Sequence, residues 1–191
     1  ERRMLTAVEK KLFTVDDYYA MARAGIIGED DRVELIEGEI ILMAAIGSRH
    51  QAVVDRVNRL FVMRVGDRAI VRVQGPLRLA DITEPQPDLQ LLAPQDDFYA
   101  AGHPSQYEAL LVVEVADTSL RFDRDEKAAI YARRGVGELW IIDVTGERVL
   151  VRRGPSAHGY SESLTVTRGH TLAPEAFPDI VVSTDDLLGP R

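Results

Sequence analysis

Residues 110–131, LLVVEVADTSLRFDRDEKAAIY, decide the predicted fold. The segment begins with an apolar run that does not alternate with polar residues, which is typical of a strand buried on both faces of a sheet. Glu114 follows this run directly, and after a polar turn a helical pattern carries Lys127. A carboxylate at the carboxyl end of a buried strand is costly unless it is paired, protonated or bound to a metal. The segment therefore predicts a strand, a turn and a helix with a charged group where the strand ends.

A second acid also adjoins an apolar run, because Asp88 follows a proline and precedes LQLL at residues 89–92. We predict that Asp88 and Glu114 lie on neighbouring strands and converge on one divalent cation, with Lys127 close by. Two alternatives remain at this stage. In the first, Asp88 has only the structural role of a turn residue after proline. In the second, Lys127 has no catalytic role and pairs with Asp123 one helical turn earlier. A similar Pro-Asp dipeptide at residues 178–179 lacks the rest of the pattern, and we assign it a structural role only.

Composition limits the classes of protein to consider. The net charge is −8, which argues against a surface coated with basic residues for indiscriminate DNA binding. Cysteine is absent, which excludes disulfides and thiolate metal sites and fits a cytoplasmic location. No apolar run approaches the roughly 20 residues of a membrane span, so we expect no membrane partner. A chain of 191 residues favours one domain, with two small ones as the alternative.

The patterns along the chain predict a mixed α/β layer that is neither a doubly wound repeat nor a sandwich. Three helices are expected, each beginning at a capping box (residues 14–17, 48–51 and 123–126) and ending near a glycine (Gly25, Gly66 and Gly135). Strands are expected as a hairpin over residues 32–43 and at residues 69–73, 76–79, 89–92, 110–114, 138–143, 148–152, 160–166 and 180–182. The fold class is therefore α/β, with an N-terminal helix plus hairpin and a β-rich C-terminal tail.

Several short motifs resemble the Uma2 family, also called DUF820, in their order and spacing. They are ELIEG at 34–38, His50-Gln51, Pro87-Asp88, VEV at 113–115, Ser119, Asp123, Lys127, Tyr131 and GVGELW at 135–140. The resemblance implies a PD-(D/E)XK nuclease domain over residues 12–189, preceded by a tail at residues 1–11. It implies a restriction-endonuclease-like fold, with a four-stranded mixed sheet flanked by helices.

The resemblance also implies roles for individual residues. The family's fold places a lysine two positions after the second acid, but Ala116 stands there, so the lysine is expected to come from the next helix as Lys127. Asp88, Glu114 and the backbone carbonyl of Val115 would bind Mg²⁺ or Mn²⁺. Lys127 would orient the attacking water or offset charge on the phosphate.

Three further residues are weaker candidates. Glu34 would bind the metal through water or take a second ion, or it is a surface acid on a strand. His50 would contact a phosphate from the amino end of its helix, or it is an ordinary polar residue there. Arg124 is a candidate substrate contact, although a solvated face is the more common explanation for such an arginine. Tyr131 is interpreted as packing beside Lys127. His103, His158 and His170 show no ligand spacing, so a histidine-based zinc site is not expected.

The leading hypothesis is a metal-dependent DNA endonuclease, with DNA as partner and substrate. A non-catalytic protein that keeps the fold and binds nucleic acid or another partner is the first alternative. A hydrolase of another phosphoester is the second. A homodimer is expected by analogy only, because two active sites are needed to cut both strands of a duplex.

Overall fold

The structure is a computed structural model that describes residues 10–117 and 119–190. The helices are α1 (Val15–Arg23), α2 (Ser48–Val65), α3 (Ala128–Arg133) and α4 (Thr184–Leu188), with a π-helical turn (Phe122–Lys127) leading directly into α3. The strands are β1 (Val33–Ile36), β2 (Glu39–Leu42), β3 (Ile70–Val73), β4 (Leu89–Leu92), β5 (Ala109–Ala116), β6 (Glu138–Asp143), β7 (Arg148–Ser156), β8 (Gly159–Thr167), β9 (Thr171–Leu172) and β10 (Val182–Ser183). None of the described helices is both long and apolar enough to cross a membrane.

The centre of the fold is a six-stranded sheet in the order β3-β4-β5-β6-β7-β8. Its strands pair antiparallel except for β5 and β6, which are parallel. A parallel pair needs a crossover, and the π-helical turn with α3 supplies it. The predicted mixed sheet flanked by helices is confirmed. The four-stranded size is wrong, because β7 and β8, expected in a tail, extend the sheet beyond β6.

The alternation of side chains along β5 places Glu114 on a defined face. Leu111, Val113 and Val115 belong to the apolar cluster that contains Phe61 of α2. The alternate residues of the strand, such as Val112 and Ala116, belong to the apolar cluster that contains Tyr131 of α3. Because successive side chains of a strand point to opposite faces, Glu114 lies on the α3 side of the sheet.

The predicted capping boxes had different outcomes. The box that starts α1 is confirmed, because Thr14 accepts a hydrogen bond from the amide of Asp17, and Asp17 accepts one from the amide of Thr14. Ser48 is wrong as a cap. It is the first residue of α2, and Gly47 stands at the cap position without a side-chain hydrogen bond. Asp123 is wrong as a cap as well, because it lies buried inside the π-helical turn and accepts a hydrogen bond from Ser119.

The strand predicted at residues 76–79 is also wrong. Leu77 and Leu79 are buried as the alternation suggested, but their amides donate to Pro85 and Thr83 in the same long loop. These two amides are thus satisfied within the loop, the Arg78 amide donates to the Pro104 carbonyl, and the segment does not join the sheet. The loop leads into β4 and carries Asp88 at its end.

The predicted hairpin is confirmed as β1 paired with β2. Glu37 and Gly38 form its turn with φ angles of 48° and 80°, a left-handed conformation that favours glycine. At the other end of the chain, β9 pairs with β10, and α4 follows where no helix was predicted. Most of the N-terminal tail predicted at residues 1–11 lies outside the described residues.

Candidate active site

A cavity of about 420 Å³ is lined by residues of the β1–β2 hairpin, of the first turn of α2 and of the π-helical turn. Glu34 of β1, Asp88 before β4 and Asp123 and Lys127 of the π-helical turn line its polar part. All four side chains belong to residues that are at most 7% exposed. Elements that are distant in sequence thus bring three carboxylates and one ammonium group together.

Asp88 and Glu114 are neighbours across the sheet. Leu89 of β4 faces Val113 of β5 in an antiparallel register, and one further step along both strands places Asp88 opposite Glu114. The Oδ2 atom of Asp88 accepts a hydrogen bond from the Val115 amide at 2.8 Å. The predicted proximity of the two acids therefore follows from the strand register.

Lys127 lies between two buried carboxylates. Its Nζ atom is 2.9 Å from Glu114 Oε1 and 3.1 Å from Glu34 Oε2. The Gln86 amide also donates to Glu34 Oε2, at 3.1 Å, which fixes the hairpin acid from the side of the long loop. In the described part of the chain, the ion-pair partners of Lys127 are these two acids and not Asp123, the partner that the alternative interpretation gave it.

Tyr131 does more than pack beside Lys127. Its hydroxyl donates a hydrogen bond of 2.7 Å to Glu114 Oε1, the same oxygen that Lys127 contacts. The sequence carried a signal for this contact, since Tyr131 follows Lys127 by one helical turn and a buried tyrosine hydroxyl usually has a partner. Gln86 gave no comparable signal, because its role depends on the path of the loop.

The site gathers four carboxyl groups, those of Glu34, Asp88, Glu114 and Asp123, around one ammonium group. Burial raises the pKa of Glu114 to about 8, the Lys127 ammonium opposes this shift, and Asp123, Asp88 and Glu34 reinforce it. Burial alone would lower the pKa of Lys127, but Glu114 and Glu34 outweigh burial and hold it above its ordinary value. Lys127 therefore stays charged, and the carboxyl groups around it outnumber it.

The donors present fit an oxygen-ligated divalent cation. Carboxylate and carbonyl oxygens are the ligands that Mg²⁺ and Mn²⁺ favour, and a bound cation would favour the ionised form of these carboxyl groups. Asp88 and Val115 line the cavity, whereas Glu114 is held behind them by Lys127 and Tyr131. Among the described residues, no three acid, histidine or cysteine side chains form a ready chelate. The expected ligand set of two carboxylates and one backbone carbonyl does not require three such side chains.

The two candidate substrate contacts lie in different places. His50, in the first turn of α2, lines the cavity, and its Nε2 atom lies 3.0 Å from Asp88 Oδ2. This hydrogen bond is the main cause that raises the pKa of His50. Arg124 is exposed, pairs with Asp125, and is not among the described residues that line the cavity. The structure thus brings His50 to the acids and leaves Arg124 on the surface.

A mixed sheet flanked by helices, with one acid directly before β4, another within the adjacent β5 and a lysine beside the second, is typical of the restriction-endonuclease-like class. The model of the Uma2 family, described as "Putative restriction endonuclease", matches residues 15–185, and the chain belongs to this family. The crystal structure of a "putative nuclease belonging to DUF820" from Anabaena variabilis ATCC 29413 has a similar fold. Its TM-score is 0.72 at 16% identity, covering 92% of this chain and 97% of that one. An uncharacterized protein of Synechocystis sp. is 26% identical over 133 residues, which are 67% of this chain and 72% of the relative.

Proposed function

We propose that the protein is a metal-dependent endonuclease that hydrolyses phosphodiester bonds in DNA. The observation that carries this proposal is the ammonium of Lys127, held between Glu34 and Glu114 and opening onto the cavity that Asp88 lines. The family's description as restriction endonucleases supports the same class of activity.

Asp88, Glu114 and the carbonyl of Val115 would hold Mg²⁺ or Mn²⁺. When bound, such an ion polarises the phosphate and makes a bound water more acidic. Two of these groups belong to β5 and the third directly precedes β4, so the sheet fixes their separation. Val115 contributes twice, since its amide already orients the Asp88 carboxylate.

Lys127 would act on the reacting groups through its Nζ–H donors. One donor is directed to Glu114 and one to Glu34, which leaves a third for the attacking water or a phosphate oxygen. The water oxygen would attack phosphorus and give up a proton to the solvent. The bond from phosphorus to the sugar oxygen would break, and that oxygen would take up a proton from the solvent. The ammonium would stabilise the negative charge on the phosphate oxygens during this step. Glu34 is assigned the role of holding Lys127 in this orientation.

A cleavage assay with matched variants tests the proposal. Asp88→Asn and Glu114→Gln should each lower Mg²⁺- or Mn²⁺-dependent cleavage of plasmid DNA by about 10²–10³-fold, the usual effect of losing a catalytic electrostatic contact. Asp179→Asn is the matched control, because Asp179 also follows a proline but is exposed and pairs with Arg68. Equal cleavage by the wild type and Glu114→Gln would refute the assignment.

Binding of Mn²⁺ followed by calorimetry separates the enzyme from its first alternative. The endonuclease should bind Mn²⁺ in the wild type and in Asp179→Asn, and more weakly in Asp88→Asn. A protein that binds DNA but neither binds Mn²⁺ nor cuts would instead be a non-catalytic binding protein with this fold.

A further inference from the structure

We propose that the cavity takes a nucleotide whose base is unstacked, so that the substrate is single-stranded DNA and not continuous duplex. This inference rests on the proposed function, because that function places the phosphate at the acidic end of the cavity. It adds the part of the substrate that lies next to the phosphate.

Most of the remaining cavity wall is apolar, although Arg32, Asp117 and Ser119 also line it. Residues of β2 and of the segment 43–47 line it, among them Leu42 and Ile46, and Phe122 of the π-helical turn joins them. Leu42 is 79% exposed and Ile46 is 38% exposed. Exposed apolar side chains gathered at a concave site indicate a ligand with an apolar surface.

A nucleotide has one group that matches such a wall. The phosphate and the sugar are polar, whereas the base has two flat faces that stack on apolar and aromatic side chains. In a continuous duplex these faces are covered by neighbouring base pairs. A base can therefore lie against Leu42 and Phe122 only after it has left the stack, as it has in a single strand.

The size and charge of the cavity lead to the same conclusion. A volume of about 420 Å³ is in the range of sites for small ligands, which is room for about one nucleotide. Arg32 is the one arginine among the described residues that line it. One of its guanidinium nitrogens already donates a hydrogen bond to the Ala44 carbonyl. Tight binding of a duplex requires several phosphate contacts from basic side chains, and this cavity offers few of them.

The test compares a labelled 12-nucleotide single strand with a hairpin duplex of the same sequence, in cleavage with Mn²⁺ and in binding with Ca²⁺. We expect the wild type to cut and to bind the single strand at least about 5-fold better, from the usual effect of one stacked base. Leu42→Ser and Phe122→Ala should each weaken binding of the single strand about 5-fold. Met63→Ser is the matched control, because Met63 is 72% exposed on α2 and does not line the cavity.

The outcomes distinguish the two proposals. Equal use of duplex and single strand, with Leu42→Ser behaving as Met63→Ser, overturns the inference and leaves the endonuclease proposal intact. No cleavage of either DNA, together with single-strand binding that Leu42→Ser weakens, refutes the endonuclease and supports the base site. The result for Phe122→Ala counts only if its unfolding midpoint matches that of the wild type. If the midpoint differs, Leu42→Ser decides the test, because Leu42 is exposed and its replacement should not affect folding.

Discussion

The buried carboxyl group of Glu114 shares one oxygen between Lys127 and the hydroxyl of Tyr131. Tyr131→Phe removes the hydroxyl and keeps the ring that packs against the sheet. We expect the free energy of unfolding to fall by about 1–3 kcal/mol, because Glu114 loses a buried hydrogen bond. Urea denaturation followed by tryptophan fluorescence measures it.

Tyr160→Phe is the matched control for this prediction. The hydroxyl of Tyr160 donates to the neutral carbonyl of Val136 at 2.8 Å, so the loss should be about 1 kcal/mol. DNA cleavage should fall in Tyr131→Phe and stay unchanged in Tyr160→Phe. If the two variants behave alike in both assays, the hydroxyl of Tyr131 has no particular role at Glu114.

His50 orients Asp88 from α2. His50→Ala removes the hydrogen bond between Nε2 and Asp88 Oδ2, and the Val115 amide then remains as the carboxylate's hydrogen-bond donor among the described residues. We expect Mn²⁺ affinity to fall about 10-fold, the lower end of the usual effect of a group that orients a metal ligand. Calorimetry with His158→Ala as an exposed control measures this. Unchanged affinity would show that Val115 is sufficient to position Asp88.

At the level of single residues, the sequence predicted the acids better than their partners. Glu114 and Asp88 adjoin apolar runs, where a buried acid is costly unless it has a partner. This signal is local and can be recognised in the sequence. The contact of Glu34 with Lys127 joins the hairpin to the π-helical turn, and no local pattern contains it. Asp123 was misread for the same reason, since its position suits a cap and only the tertiary structure buries it.

The hairpin and α3 are tied together by an ion pair at their ends. Glu37 in the β1–β2 turn accepts a hydrogen bond from Arg134 at 2.8 Å and another from Thr83 at 3.1 Å. Burial raises the pKa of Glu37, but Arg134 and Thr83 outweigh it, and the pKa is below its ordinary value. Because the hairpin carries Glu34, the contact between Glu37 and Arg134 also helps to hold Glu34 in the site.

The tie predicts a pH-dependent difference in stability between the wild type and Arg134→Ala. A carboxyl group with a lowered pKa in the folded state stabilises at pH values above its ordinary pKa, and this contribution is lost as the pH falls through the folded pKa. The wild type should be more stable near neutral pH, by less than about 1 kcal/mol for a partly exposed pair. The difference should vanish in strong acid.

Urea midpoints of both proteins, measured from neutral to acidic pH, test this prediction. Arg133→Ala is the control, because Arg133 lies 3.9 Å from Glu37 and its side chain is more exposed. A difference between the wild type and Arg134→Ala that grows as the pH falls would contradict the assignment of the stabilisation to ionised Glu37.

At the level of elements, helices with strong apolar periodicity and long buried strands were predictable. The π-helical turn was not, because no residue preference separates it from the α-helix that the same residues suggested. The strand at residues 76–79 failed because the burial of Leu77 and Leu79 carries the same alternation as a strand. The size of the sheet depends on the pairing of β7 with β6 and of β8 with β7. The local sequence pattern does not show which strands pair.

The whole molecule carries a net charge of −8, and under the proposed function this charge bears on its affinity for DNA. The logarithm of affinity for a single strand should fall with the logarithm of salt concentration with a slope of roughly −1.4 to −2.1. This corresponds to two or three phosphate contacts at about 0.7 each. Fluorescence anisotropy over a range of salt concentrations measures it. A slope several times steeper would reveal an extended basic groove.

Lys127 reaches the acids from a helix that follows β5, and not from β5 itself. As a result, the hairpin, two strands of the sheet and the turn before α3 must all dock before the charged groups meet. Under the proposed function, a nascent chain on the ribosome has no working centre while any of these pieces is missing. Such an enzyme is switched on by completing its own fold, and unfinished or misfolded copies are harmless to the nucleic acids around them.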